Sequence, residues 1–208
     1  GAVSRATRLL GDSAGIVGSR DLQVLLLAGS LTAPLGVSMV SPLLDALIGP
    51  LGASPTSIGL MVAAYTAPAL VAVPASGLLS DRVGRKPVLV GGLMLFGVAG
   101  VAIAAAPDLR VALGLRFVQG VGFAGITPIV VTSIGDLFRG ADAATGQGLR
   151  IAAAGGAQTV FPPIAAALVG VAWQLPFAIY AIALPLAVVV AVFLDEPTTR
   201  DAGADDGD

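Results

Sequence analysis

Long uncharged apolar runs alternate with short polar links along this chain. The runs cover residues 22–47, 58–79, 88–106, 111–137, 149–171 and 175–194. Each is near or above the ~20 residues a helix needs to cross a hydrocarbon core about 30 Å thick. Six such runs leave too little polar surface to wrap a soluble core. They are too long, and alternate too little, for the strands of a membrane barrel. The pattern predicts an all-α, polytopic membrane protein with three parts. Residues 1–21 form an N-terminal segment, 22–194 a six-helix transmembrane domain, and 195–208 an acidic tail read as solvent-exposed and disordered.

The links carry the charges that set orientation. Arg5, Arg8 and Arg20 precede span one, Arg82, Arg85 and Lys86 lie between spans two and three, Arg139 and Arg150 between four and five, and Arg200 after span six. All nine fall on one side. The other side holds only Arg110, and Arg116 lies inside span four. The excess of basic residues on cytoplasmic loops then predicts a plasma-membrane protein with both termini in the cytoplasm.

Composition agrees with this reading. The chain is 56% hydrophobic and 12% charged, with a mean hydropathy of +0.93. Soluble domains carry about 25% charged residues. There is no cysteine and no histidine, which removes disulfides, thiol nucleophiles and the commonest metal and proton-relay ligand. No cofactor or metal site is expected, and no basic patch suggests nucleic acid. An intramembrane hydrolase would want a base beside a nucleophile or paired acids within the membrane, and a channel would want repeated polar rings. Neither is present in the sequence. The chain begins at Gly1 and is read as a fragment of a longer protein or as a half that pairs with another.

Glycine clusters in spans three to five predict close helix packing, which in lipid takes over from the hydrophobic drive. Pro34, Pro42, Pro68, Pro74, Pro128, Pro162, Pro163, Pro176 and Pro185 should bend or locally open their helices. One internal echo stands out. Val40-Ser41-Pro42-Leu43-Leu44 in span one is matched by Ile126-Thr127-Pro128-Ile129-Val130 in span four. Those spans run in opposite directions, so a three-helix repeat would be inverted, a common transporter plan.

The densest charged link is Gly77-Leu78-Leu79-Ser80-Asp81-Arg82-Val83-Gly84-Arg85-Lys86-Pro87. Gly84 permits a tight turn and Pro87 suits the first turn of span three. Asp81 is poorly placed against a helix C-terminal dipole and needs a cation or hydrogen-bond donor, with Arg85 a candidate across the turn. Positive-inside anchoring alone accounts for Arg82, Arg85 and Lys86, but not for the acid or the two glycines.

From Gly77 to Leu89 this link resembles the signature loop of the major facilitator superfamily, G-x-L-[AS]-D-R-x-G-R-[RK]-x-x-L, at every signature position. The resemblance implies a six-helix half of a twelve-helix carrier, built as a 3+3 inverted repeat. It also implies a conformational latch formed by Gly77, Asp81, Arg82, Gly84, Arg85 and Lys86. Asp136, at the end of span four, is the expected partner of the latch or else a solvated helix terminus.

Arg116-Phe117-Val118-Gln119-Gly120-Val121-Gly122 resembles the family's span-four motif R-x-x-Q-G-x-G. A charge inside a span faces a cavity or partner, or snorkels to the surface. The resemblance implies proton coupling at Arg116, with Gln119, Gly120 and Gly122 beside it, and helix bends at Pro42, Pro128 and Pro162. Asp45 is read either as a cavity carboxylate that takes up a proton or as an interfacial residue. Around Pro162 this chain carries Ala157, Phe161, Ala165 and Ala166 where drug–proton antiporters often have glycines. That departure puts the antiporter subtype in question and leaves the superfamily standing.

The expected function is secondary active transport of a small organic solute, as proton-coupled efflux by alternating access in the lipid bilayer. Its partner is a second six-helix half. A uniporter or uptake symporter of the same fold is one alternative. A non-transporting membrane scaffold is the other.

Overall fold

A computed structural model describes residues 15–32 and 35–196. The expectations on Arg5, Arg8, Pro34, Arg200 and the tail beyond Glu196 lie outside these residues. Regular structure among the described residues is entirely helical: α1 (Arg20–Thr32), α2 (Leu44–Leu51), α3 (Leu60–Thr66), α4 (Ala69–Val83), α5 (Arg85–Ala102), α6 (Leu109–Ala124), α7 (Thr127–Leu137), α8 (Gly140–Val169), α9 (Leu175–Ala178) and α10 (Ala183–Phe193), with short 3₁₀ turns between some of them.

Joined end to end, these give five helical stretches long and apolar enough to cross a membrane: Leu60–Val83, Arg85–Ala105, Leu109–Leu137, Gly140–Val169 and Leu175–Phe193. They are spans two to six. The first apolar run is divided. It holds α1, an irregular turn through residues 35–40, and the shorter apolar helix Ser41–Leu51 that contains α2.

The two echoing segments do the same structural work. Ser41-Pro42 and Thr127-Pro128 each open a new helical segment after a break, with proline in the first two positions. A proline there sacrifices no hydrogen bond, because the first N–H groups of a helix have no intrahelical acceptor. Pro162 and Pro163 behave differently. They lie inside α8, which continues through them as helix. Span five is therefore not opened at Pro162 as spans one and four are at Pro42 and Pro128.

Helix and apolar run do not share their ends. α8 starts nine residues before the run at 149, so Arg150 stands on a helix and not in a link. Apolarity marks contact with lipid, whereas Ala141, Ala143 and Ala144 favour helix on either side of the membrane boundary. Gly140, at φ 56°, turns the chain into α8 from the extended residues Phe138 and Arg139.

Spans three and four pack closely, span three also lies against span six, and span one packs on spans five and six. Glycine makes the tightest of these crossings possible. A Cβ on Gly122 would stand 2.6 Å from the Phe96 amide nitrogen and 2.9 Å from the Gly92 carbonyl, and one on Gly92 would stand 2.8 Å from the Gly122 carbonyl. Backbone meets backbone there, the arrangement that small residues allow in lipid. An aromatic series continues the core. Phe123 and Tyr65 are 5.6 Å apart, Tyr65 and Phe96 6.4 Å, Phe96 and Tyr180 5.3 Å, and Tyr180 and Phe177 6.2 Å between ring centroids. Spans two and five are the least buried, each presenting a long exposed apolar face.

Candidate functional site

Two polar clusters interrupt this apolar bundle. The first lies at one end, where α4 passes into α5 through Gly84 alone. Gly84 has φ 102° and ψ 158°, a region open almost only to glycine. This one-residue joint brings the last turn of α4 against the first turn of α5. Arg85 then folds back, 6% exposed. Its Nη1 donates to Asp81 Oδ1 at 2.6 Å and to Ser80 Oγ at 2.5 Å, and its Nε donates to Asp136 Oδ2 at 3.0 Å. The planar guanidinium serves two carboxylates on two spans from separate nitrogens, a fixed geometry that a lysine's single nitrogen does not offer. The acid that is ill placed against its own helix dipole is thus neutralised from the next helix.

A third carboxylate arrives from the far end of the sequence. Glu196, just past α10, accepts from the Arg85 backbone N–H through Oε1 at 2.5 Å and from the Lys86 N–H through Oε2 at 3.2 Å. Those amides open α5 and have no intrahelical acceptor, and the positive end of the helix dipole favours an anion. A Cβ on Gly84 would stand 2.6 Å from the same carboxylate, so a side chain there would push Glu196 off the amides, while the dihedral alone demands glycine. Glu196→Ala is expected to speed hydrogen exchange at the Arg85 and Lys86 amides about tenfold, in line with the 0.5–2 kcal/mol lost with a helix cap. Unchanged exchange at both amides would show that the carboxylate does not hold them.

The second cluster lies within the bundle around Arg116, which is fully buried. Its Nε donates to the Met61 carbonyl at 2.8 Å, Nη1 to Gln119 Oε1 at 2.8 Å and to Tyr180 Oη at 3.3 Å, and Nη2 to the Gly36 carbonyl at 2.5 Å. The guanidinium carbon stands 4.4 Å from the centroid of the Tyr65 ring. Tyr180 Oη in turn donates to the Leu35 carbonyl at 2.7 Å. One cation on span four therefore ties the irregular turn of span one to spans two and six. Among the described residues, no carboxylate partners it. Carbonyl dipoles, an amide, a phenol and an aromatic face share the charge, which suits a buried ion only when every donor is satisfied.

The spacing R-x-x-Q-G-x-G becomes intelligible here. Arg116 and Gln119, three apart, share a helix face and meet through their side chains. Gly120 lets span two approach, since a Cβ there would run into the Tyr65 carbonyl and Pro68. Gly122 does the same for span three. Gly36 leaves room for the Tyr65 hydroxyl in the same way.

The other residues singled out in the sequence fall as follows. Gly77 is half-buried and supplies a carbonyl to Ser80 Oγ at 2.9 Å, and a Cβ on it would meet nothing. Arg82 is exposed and has no ion-pair partner among the described residues. Lys86 contributes its backbone N–H to Glu196. Asp45 is exposed in the first turn of α2, and no ion pair links it to Arg116. Every described carboxylate lies at a helix end or in a link.

Ser80, Glu196, Gly36, Tyr65 and Tyr180 were not singled out by sequence reasoning. One signal was available, for Tyr180: a phenol inside a span needs a polar partner. Tyr65 meets Arg116 through its ring, and its hydroxyl has no hydrogen-bond partner among the described residues. For Glu196 there was no signal beyond its position at the head of an acidic stretch.

Residues 26–207 match the family profile described as Major Facilitator Superfamily. The Bacillibactin exporter of Bacillus subtilis (strain 168) is 36% identical over 155 residues, which cover 71% of this chain and 38% of that protein. The Multidrug transporter protein MdtP of the same organism is 29% identical over 182 residues, covering 85% of this chain and 33% of that protein. The Quinolone resistance protein NorA of Staphylococcus aureus (strain Mu50 / ATCC 700699) is 30% identical over 103 residues, covering 50% and 26%. The matched stretch spans well under half the length of each of these curated relatives.

Proposed function

The chain belongs to the Major Facilitator Superfamily, and from that premise we propose that it forms the N-terminal six-helix half of a secondary transporter that exports a small organic solute by alternating access, with protons as the coupling ion. The family consists of membrane transporters and not of enzymes, so the chain works by binding and moving a solute. Efflux is favoured by the printed names of relatives that are an exporter, a multidrug transporter and a quinolone resistance protein.

The Arg85 cluster carries the mechanistic reading. It fastens spans two, three and four and the segment after span six at one end of the bundle, here assigned to the cytoplasmic side of the plasma membrane. The Arg85 guanidinium bonds are side chain to side chain, and Glu196 reaches the helix start through its own side chain, so all can be exchanged without unfolding a helix. The Asp81 side chain is 57% exposed and the Asp136 side chain 23%, which leaves both open to competing partners. Closure of this end against a second half, and its release, is the latch role we assign to Asp81, Arg85 and Asp136. The exposed faces of spans two and five are offered to that second half, with the two halves rocking around a site near the bilayer midplane. Arg116 keeps the broken segment of span one in register with span four. Proton uptake then falls to a carboxylate of the second half or to Asp45, with Arg116 setting the field near it.

Proteoliposomes holding the intact carrier test the function. An imposed pH gradient is expected to drive ethidium or a fluoroquinolone across the membrane, and flux that ignores the gradient would remove the coupling. The latch has its own test. Asp81→Asn keeps the shape and removes the charge, and it is expected to change the exchange rate between inward- and outward-open forms severalfold. Spin labels placed across the charged end report that rate as distance distributions. The same distributions and the same rate in Asp81→Asn would count against the latch.

A further inference from the structure

Spans two, three and four leave an elongated groove of about 380 Å³ between them, beginning at the 80–87 link. Its walls are Ala72, Ala75 and Leu79 on span two and Gly91 and Leu95 on span three, and glycines of spans three and four form its floor. The floor is apolar because its polar member is satisfied. Ser76 Oγ donates to the Ala124 carbonyl at 2.6 Å. From Val83 to Ala72, and from Pro87 to Leu95, the lining runs about 12–16 Å along the helices at 1.5 Å per residue. That is about half of a ~30 Å hydrocarbon core, the depth of one leaflet. Over this length a single alkyl chain can lie in the groove, whereas a helix could only press side chains into it. Arg82 adjoins Val83, one of the lining residues at the link end; it is exposed and has no carboxylate partner among the described residues. Asp81, beside it, is committed to Arg85.

We propose that this groove is a phospholipid site, in which one acyl chain lies along Gly91 and Leu79 and the lipid phosphate meets the Arg82 guanidinium. The walls explain the shape. Gly91 and the alanines withhold the side chains that would otherwise close the groove, and in a bilayer the space is filled by lipid tail. An arginine at headgroup level supplies the fork of donors that a phosphate takes in pairs.

The test uses the intact carrier and palmitoyl-oleoyl phosphatidylglycerol as probe, with retained lipid counted by native mass spectrometry after stepwise delipidation in detergent. Gly91 is exposed and a Cβ on it meets nothing, so Gly91→Phe fills the groove without disturbing the fold. Unchanged helical circular dichroism and monodisperse elution check this. The wild type is expected to keep one tightly held lipid that Gly91→Phe loses. Gly114→Phe, at another open glycine outside the groove, is expected to keep it. Arg82→Gln is expected to weaken retention about fivefold, the effect of one basic residue at a lipid surface. Equal retention in Gly91→Phe overturns the proposal, as does retention indifferent to Arg82→Gln. A wild type that holds no lipid also overturns it, as would follow if part of the second half filled the groove.

Discussion

Arg116→Ala is expected to lower the melting temperature of the detergent-purified protein by about 10 °C, equivalent to about 3–5 kcal/mol, and to abolish coupled flux in the intact carrier. The size of the effect follows from what would be left behind. Four acceptors on four spans lose their donor at once: the Gly36 and Met61 carbonyls, Gln119 Oε1 and Tyr180 Oη. Each buried group left unpaired costs about 1–3 kcal/mol. No water from bulk reaches a position that is fully buried. Arg116→Lys separates charge from geometry. An ammonium keeps the charge but offers its donors from one point, so it reaches at most two of the three directions that Nε, Nη1 and Nη2 now serve. Its stability is expected to fall between those of Ala and wild type. A thermal melt of Arg116→Ala that overlays the wild type would show that the spans do not depend on this cation.

The second large effect concerns glycines that look alike in sequence. Gly122→Val is expected to prevent a monodisperse bundle from forming, or to cost at least about 3 kcal/mol where it forms, because overpacking against rigid backbone cannot be relieved by a rotamer change. The added carbon would lie 2.6 Å from the Phe96 amide and 2.9 Å from the Gly92 carbonyl. Gly114→Val, two turns away on the same helix, is expected to melt within about 1 °C of wild type, since an exposed substitution with room to spare falls within about 0.5 kcal/mol. A Cβ on Gly114 meets nothing. Size-exclusion elution and melting curves of the two variants decide the matter. Equal behaviour would mean that spans three and four do not meet backbone to backbone at Gly122.

The candidate site was only partly legible before the structure. The signature from Gly77 to Leu89 identified Asp81 and Arg85, and Asp136 was named as a partner. All three meet at one guanidinium. These residues are readable because a short link between two helices fixes where its charges stand. Arg116 and Gln119 were readable for a different reason: a charge in an apolar span is conspicuous, and three residues of helix place the two on one face. Tyr65, Tyr180 and Gly36 were not read. Each reaches Arg116 from a different span, and no local pattern states which spans are neighbours. Glu196 sits 111 residues from Arg85, and its capping contact exists only because α10 ends beside the start of α5. Proline removes the same N–H at 42, 128 and 162, yet Pro42 and Pro128 stand in the first turn of a new helical segment while α8 runs on as helix through Pro162.

Hydropathy by itself determined that this is a multi-pass helical membrane protein, because a backbone in hydrocarbon must satisfy its own N–H and C=O groups within one segment. That requirement is local and is written in run length and charge. Tertiary structure alone decided which helices touch, where a buried cation finds its acceptors, and which glycines carry a crossing. In lipid no apolar surface is hidden from water by choosing one neighbour over another. The choice rests on shape and on a few polar contacts between residues far apart in the chain.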